Sequence, residues 1–188
     1  HSGRVYALAL TADGSGLVSG AADGSVRLWA LPQAAAGQDA ATAAPWRHDG
    51  WTWAVALDET GARLASAGAD GRLVIDRPQG HGEPLRLTGH QGVVPGLVMN
   101  RAGTLLASAG TDGSVRLWDP ADGGALARLG DTGLPLGAPG GGGLAARIAG
   151  GARAERTSPL AAPPVAERWS LALSPDETLL AAGGEDGG

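Results

Sequence analysis

The 188-residue sequence has no cysteine, no lysine and no phenylalanine, and its aromatic residues are six tryptophans and one tyrosine. The absence of cysteine excludes a disulfide framework and thiolate metal sites. The absence of lysine excludes a P-loop, whose phosphate cradle requires that residue. No apolar run approaches the ~18 residues of a membrane-spanning helix. We therefore expect no membrane segment, no metal and no cofactor, and a cytoplasmic location.

Positive charge is also sparse. The formal net charge is −5, and the 14 basic residues, all arginine, are scattered singly along the chain. A nucleic-acid partner is not expected, because binding to phosphates requires clustered positive charge.

The sequence instead contains a repeat. The repeated segments are SGAADGSVRLW (19–29), SAGADGRLVID (66–76), SAGTDGSVRLW (108–118) and the shorter AGGEDGG (182–188). An alternating apolar run precedes each of them: VYALAL (5–10), TWAVAL (52–57), VPGLVM (94–99) and WSLAL (169–173). A unit of about 42 residues that recurs along the chain indicates a repeat architecture.

Each unit predicts short strands joined by tight turns. The alternating runs are typical of half-buried strands. Asp-Gly favours a two-residue hairpin turn, in which both central residues have positive φ. A unit of about 42 residues with four strands predicts an all-β protein in which small antiparallel sheets stack around an axis.

The third unit, Gly89 to Asp119, carries Gly-His at 89–90, then Ser108, Asp112 and Trp-Asp at 118–119. In these residues the sequence resembles the WD-repeat family, which implies a β-propeller of four-stranded antiparallel blades. Propellers of this family usually have seven blades. We therefore expect an incomplete propeller of about three and a half blades, belonging to a larger protein.

The repeats divide the chain into a first blade (1–47), a second (48–89), a third (90–129) and a truncated fourth (164–188). The first blade carries about five extra residues near 33–44. A Gly/Pro/Ala-rich stretch at 130–163 separates the third and fourth blades, and we expect it to be a mobile insertion loop.

The resemblance also implies a hydrogen-bonded tetrad of His, Ser, Asp and Trp within each blade. The expected sets are His1, Ser19, Asp23 and Trp29; His48, Ser66 and Asp70; and His90, Ser108, Asp112 and Trp118. Asp76 stands where the second blade should have its Trp. Pro164 and Ala182 replace the His and Ser of the fourth blade. We therefore expect these two blades to be held less firmly.

Aromatic residues concentrate at two repeat positions, three and five residues after the His. They are accompanied there by charged residues, and the full set is Arg4, Tyr6, Trp51, Trp53, Glu167 and Trp169. In the family these positions lie where the innermost strand reaches the top face and often contact partners, and Tyr, Trp and Arg are enriched at binding hot spots. The alternative is that the rings are core between blades.

The resemblance implies a protein-interaction scaffold or sensor module whose partner is a protein or peptide. The alternative is a propeller enzyme with a site at the central channel. Ser19, Ser66 and Ser108 recur at one repeat position, which does not suit a nucleophile. We therefore expect no enzymatic activity and no small-molecule substrate.

Overall fold

Apolar runs alternate with polar turns along the chain, and these runs form β-strands that pair into sheets. The structure, a computed structural model, describes residues 1–31, 41–78, 82–129, 145–146, 170–174, 177 and 179–183. Within these ranges no helix is long and apolar enough to cross a membrane.

Three sheets have four antiparallel strands each, in chain order across the sheet. The strands of the first are β1 (Val5–Leu10), β2 (Gly16–Ala21), β3 (Ser25–Ala30) and β4 (Ala41–Arg47). Those of the second are β5 (Thr52–Leu57), β6 (Leu64–Gly68), β7 (Leu73–Asp76) and β8 (Leu85–Leu87). Those of the third are β9 (Gly96–Met99), β10 (Leu106–Ala109), β11 (Val115–Trp118) and β12 (Ala125–Leu129).

A fourth sheet contains β13 (Ala145–Ala146), β14 (Ser170–Leu173) and β15 (Leu179–Gly183). Strands β14 and β15 are antiparallel, whereas β13 pairs with β15 in parallel. Strand β13 comes from the stretch predicted as an insertion loop, 130–163, whose other residues lie outside the described ranges.

The sheets stack face to face, and their first strands β1, β5, β9 and β14 are neighbours in that order. One apolar cluster fills each interface: around Val18, Val55 and Leu64 between the first and second sheets, around Leu73 and Leu106 between the second and third, and around Leu117 and Leu180 between the third and fourth. The prediction of an all-β fold of four-stranded antiparallel blades is confirmed, and we call the sheets the first to fourth blades.

The Asp-Gly turns differ from the prediction. In the first blade Gly24 N–H donates to Ala21 O at 3.0 Å, and three residues connect β2 to β3. Gly24 has a φ of 76°, but Asp23 is not among the described residues with positive φ. This is a three-residue hairpin loop, in which a type I turn is followed by a left-handed residue. The predicted two-residue turn with two positive φ angles is therefore wrong.

The turns after β1, β5 and β9 link successive blades at the other end. Ala12 N–H donates to Glu59 O at 3.3 Å, and Glu59 N–H donates to Arg101 O at 2.9 Å. Arg101 N–H in turn donates to the Glu177 carboxylate at 3.0 Å, and Asn100 Nδ2 donates to its other oxygen at 2.8 Å. Backbone and carboxylate acceptors thus hold the four turns together.

Candidate functional site

A chain of hydrogen bonds crosses the third blade. Trp118 Nε1–H donates to Ser108 Oγ at 2.9 Å, and Ser108 Oγ lies 2.8 Å from His90 Nε2. His90 Nδ1 lies 3.0 Å from Asp112 Oδ1. Because the Asp112 carboxylate can only accept, Nδ1–H of the neutral imidazole donates to it, and Nε2 is left as an acceptor. Ser108 therefore donates its own proton to Nε2 and accepts from the indole N–H. The four expected residues are brought together, and they tie β10, β11 and two loops.

Burial and hydrogen bonding together set the protonation of this chain. It lowers the pKa of the His90 imidazole, against the opposing effect of Asp112, and so favours the neutral ring that the hydrogen bonds require. Burial raises the pKa of Asp112, but hydrogen bonds from Gln91 N–H, His90 and Ser114 outweigh it and bring the pKa down to about 2. A neutral imidazole therefore donates to an ionised carboxylate.

The first blade has the same chain with one difference. His1 Nε2 lies 2.6 Å from Ser19 Oγ, and Trp29 Nε1–H donates to the same oxygen at 2.8 Å. His1 Nδ1, however, is 3.6 Å from Asp23 and 2.7 Å from Ser25 Oγ, which donates to Asp23 at 2.5 Å. Ser25 thus mediates between the imidazole and the carboxylate.

The expectation that the second blade lacks an indole donor is wrong. His48 Nε2 lies 2.9 Å from Ser66 Oγ, and Nδ1 lies 3.1 Å from Asp70. Asp76 cannot supply the indole, but Trp46 Nε1–H donates to Ser66 Oγ at 3.0 Å. Trp46 lies on β4 of the first blade. The second blade therefore has all four kinds of group, with the indole supplied by its neighbour.

In the fourth blade Ala182 stands at the Ser position, where it is buried and pairs with Leu171. Because alanine has no hydroxyl, this blade lacks the serine of the tetrad. Pro164, at the His position, lies outside the described residues.

Three of the predicted surface residues form one aromatic cluster, which consists of Tyr6, Trp51 and Trp53. Tyr6 stacks on Trp53 with ring centroids 4.8 Å apart. Trp51 lies 5.5 Å from Tyr6 and 5.4 Å from Trp53. These separations are those of favourable aromatic contacts. Two blades contribute to the cluster, since Tyr6 belongs to the first and both tryptophans to the second.

The aromatic cluster is open to solvent. Trp51 is 46% exposed and Tyr6 is 37% exposed, whereas Trp53 is half-buried. Trp46 and Trp118, which donate to the serines, are each only 2% exposed. The exposure of Tyr6 and Trp51 is not that of core between blades, which was the alternative interpretation.

Irregularities in strand pairing set the direction of two of these rings. The β1–β2 register shifts between Val5 and Ala7, and the β5–β6 register shifts between Thr52 and Ala54. Tyr6 and Trp53 are the residues left over at these two irregularities. A bulge adds an unpaired residue and redirects its side chain, which accounts for the equivalent placement of the two rings.

Charged residues lie close in sequence to the residues of the aromatic cluster. Arg4, two residues before Tyr6, is exposed. Asp49, two residues before Trp51, pairs with Arg72 at 3.2 Å, and both of these side chains are largely exposed. The other two predicted surface residues, Glu167 and Trp169, lie outside the described residues. In the described ranges no group of three or more His, Asp or Glu side chains could hold a metal ion.

Sequence reasoning missed Trp46, Ser25 and Ser114. The serines had a signal, because each follows an Asp-Gly pair in the first and third repeats. Trp46 had only a weak one: it is the tryptophan that stands two residues before a repeat His.

Comparison with known proteins gives three results. The family model described as "WD domain, G-beta repeat" matches residues 1–30, 82–119 and 163–188, half of the chain. The matched ranges leave out most of the second blade, where Asp76 replaces the usual Trp. No curated protein sequence matches the chain significantly.

Two similar solved structures are described as "Structure of U3-55K" and "Crystal structure of RRP9 WD40 repeats". Each is 26% identical to this chain, with a TM-score of 0.62. Each match covers 70% of this chain and 40% of the other, so the chain spans less than half the length of these structures.

Proposed function

Because the chain belongs to the WD-repeat family of β-propellers, we propose that it is a protein-interaction module that binds a protein or peptide partner through the aromatic cluster and Arg4. The observation that carries the proposal is the exposure of Tyr6 and Trp51 in a chain with only seven aromatic residues. A large aromatic surface left in water is energetically unfavourable, and burying it stabilises a complex.

The chemistry of the aromatic cluster fits a polypeptide ligand. Tyrosine and tryptophan bring large rigid surfaces to an interface with little loss of side-chain entropy. The three rings already contact one another, so little further ordering is needed on binding. Arg4 adds a planar cation that can pair with a carboxylate of the partner.

The three histidines in the described part of the chain support a binding role without catalysis. In His1, His48 and His90 both ring nitrogens are engaged by serine or aspartate side chains. Imidazoles held in this way serve the fold and are not free to transfer protons to a substrate.

The proposed surface extends to Glu167 and Trp169 by repeat equivalence alone. Trp169 stands five residues after the His position of the fourth repeat, as Tyr6 and Trp53 do in theirs, and Glu167 stands three residues after it. Their equivalence predicts the same rim, because corresponding positions of a radial repeat share one face. A cytoplasmic location and the absence of a nucleic-acid partner stay predictions.

The test compares two matched variants of the full chain, Trp51→Ala and Leu126→Ala. Both remove an exposed apolar side chain, but Leu126, 54% exposed, lies on the outer strand of the third blade. A partner captured by the wild-type chain is purified, and its affinity for each variant is measured by titration calorimetry.

We expect Trp51→Ala to weaken binding about 30-fold, equivalent to ~2 kcal/mol, with an unchanged melting temperature. Leu126→Ala should bind like the wild type. Equal affinities for wild type and Trp51→Ala would contradict the proposal.

A further inference from the structure

The indole that completes the second tetrad crosses from one blade to the next. In the first and third blades the donors, Trp29 and Trp118, lie on the same sheet as the serine they reach. Trp46 lies at the end of β4, the outer strand of the first blade, and donates to Ser66 on β6 of the second blade. This hydrogen bond therefore ties two sheets together.

The same side chain fills the interface between these sheets. Trp46 is 2% exposed and belongs to an apolar cluster with Val18 and Val26 of the first blade and Val55 and Val74 of the second. The ring thus contributes packing, and its N–H contributes a directional bond that fixes how the two sheets face each other.

The aromatic cluster spans this same interface. Tyr6 comes from β1, whereas Trp51 and Trp53 come from the start of the second blade. Trp53 lies two residues before Val55 on β5, and Val55 belongs to the apolar cluster of Trp46. A change in the spacing of the two blades would pull Tyr6 away from Trp53.

We propose that Trp46 is a positioning residue: its bond to Ser66 sets the first blade against the second and so assembles the aromatic cluster from its two halves. The consequence for partner binding rests on the proposed function. The assembly of the rings does not, and it is measurable without a partner.

The readout is the single tyrosine of the chain. Because Tyr6 stacks on Trp53 at 4.8 Å, we expect the indole ring current to shift its ring protons and these protons to give nuclear Overhauser contacts to Trp53. Selective labelling of tyrosine isolates these signals in the full chain.

Two variants separate the cross-blade bond from the tetrad itself. Trp46→Phe keeps an aromatic ring at the interface but removes the N–H. The double variant Trp46→Phe with Asp76→Trp returns an indole to the usual family position, where it can donate to Ser66 within the second blade. Trp118→Phe, which removes a donor within the third blade, is the matched control.

We expect Trp46→Phe to move the Tyr6 signals toward their unfolded positions and to weaken the contacts to Trp53. The double variant should recover melting temperature but keep the displaced Tyr6 signals, because the tie between blades is still absent. Trp118→Phe should lower the melting temperature and leave Tyr6 unchanged. If Trp46→Phe does not fold, the double variant decides.

Native Tyr6 signals in Trp46→Phe or in the double variant would overturn the proposal, since Trp46 would then be a filler of the interface. Displaced signals in Trp118→Phe would overturn it too, because the effect would be one of general destabilisation. If Tyr6 behaves as expected but the loss of the stack leaves partner affinity unchanged, the proposed function fails and the positioning role stands.

Discussion

Replacing His90 by alanine removes the middle of the hydrogen-bond chain in the third blade. The imidazole side chain is fully buried, and it connects Ser108 to Asp112. Ser108 is itself 0% exposed, so its hydroxyl has no contact with bulk solvent that could replace the lost acceptor in the native arrangement. Trp118 still donates to Ser108, but the serine hydroxyl proton has no partner in the native arrangement.

The magnitude follows from what each neighbour loses. A buried hydroxyl donor left unpaired costs about 1–3 kcal/mol. Asp112 loses less, because Gln91 N–H and Ser114 still donate to its carboxylate. The empty space left by the imidazole adds to the loss. We expect His90→Ala to lower the free energy of unfolding by about 3 kcal/mol.

Urea denaturation of the full chain, followed by tryptophan fluorescence, measures this change. The matched control is Gln91→Ala, since that side chain is exposed and its backbone N–H to Asp112 is retained. The control should lie within ~0.5 kcal/mol of the wild type. Equal losses in the two variants would refute the structural role of His90.

The burial of His90 also predicts how the free energy of unfolding depends on pH. Burial lowers the pKa of His90 in the folded state below its ordinary value of 6.5. The unfolded chain therefore binds the proton more tightly, so stability is fully present above 6.5 and is lost as pH falls from there toward the lowered pKa. Unfolding free energies on both sides of pH 6.5 should show this loss in the wild type and a smaller one in His90→Ala.

Four further predictions follow from buried groups and turns. Thr52 Oγ1 is buried without a hydrogen-bond partner in the described part of the chain, and Val94 holds the equivalent position, so Thr52→Val should raise stability by ~1 kcal/mol in urea denaturation. An added Cβ on Gly20 would lie 2.6 Å from Thr52 Cγ2, so Gly20→Ala should lower the melting temperature, whereas no change would show that the contact can relax. Glu177 has a φ of 57°, so Glu177→Gly should be more stable than Glu177→Ala by about 1 kcal/mol, and equal values would show that this turn relaxes. Because the pKa of Asp112 is lowered from 3.8 to about 2, its contribution is present above 3.8 and lost as pH falls through 2, and acid titration of Asp112→Asn should lack that component.

The tetrads of the first and third blades were expected from the resemblance to the WD-repeat family, and the fixed spacing of the repeat assigned them to particular residues. Ser108 pairs with Arg116 on β11, and its spacing from His90 and Asp112 is the same for the equivalent residues of the first and second units. Repeat symmetry likewise gave Tyr6 and Trp53 equivalent places, since the two residues share one repeat position. In these cases local register and repeat symmetry point to the same arrangement.

Trp46 could not be assigned in this way. Its donor role depends on how β4 of one blade lies against β6 of the next, and that relation is set by packing between sheets and not by spacing within a repeat. The prediction of a two-residue turn was wrong for a different reason. Asp-Gly occurs in both two- and three-residue hairpin loops, and the number of residues between β2 and β3 decides between them.

In the proposed mode of binding, Trp51 and Trp53 face a partner while Trp46 and Trp118 hold the blades together. The most direct measurement is a titration of the nitrogen-labelled protein with its purified partner, in which the indole N–H signals are followed by nuclear magnetic resonance and assigned by single Trp→Phe variants. We expect the signals of Trp51 and Trp53 to shift or broaden and those of Trp46 and Trp118, each 2% exposed, not to move. Binding that leaves Trp51 and Trp53 unperturbed would contradict this mode of binding.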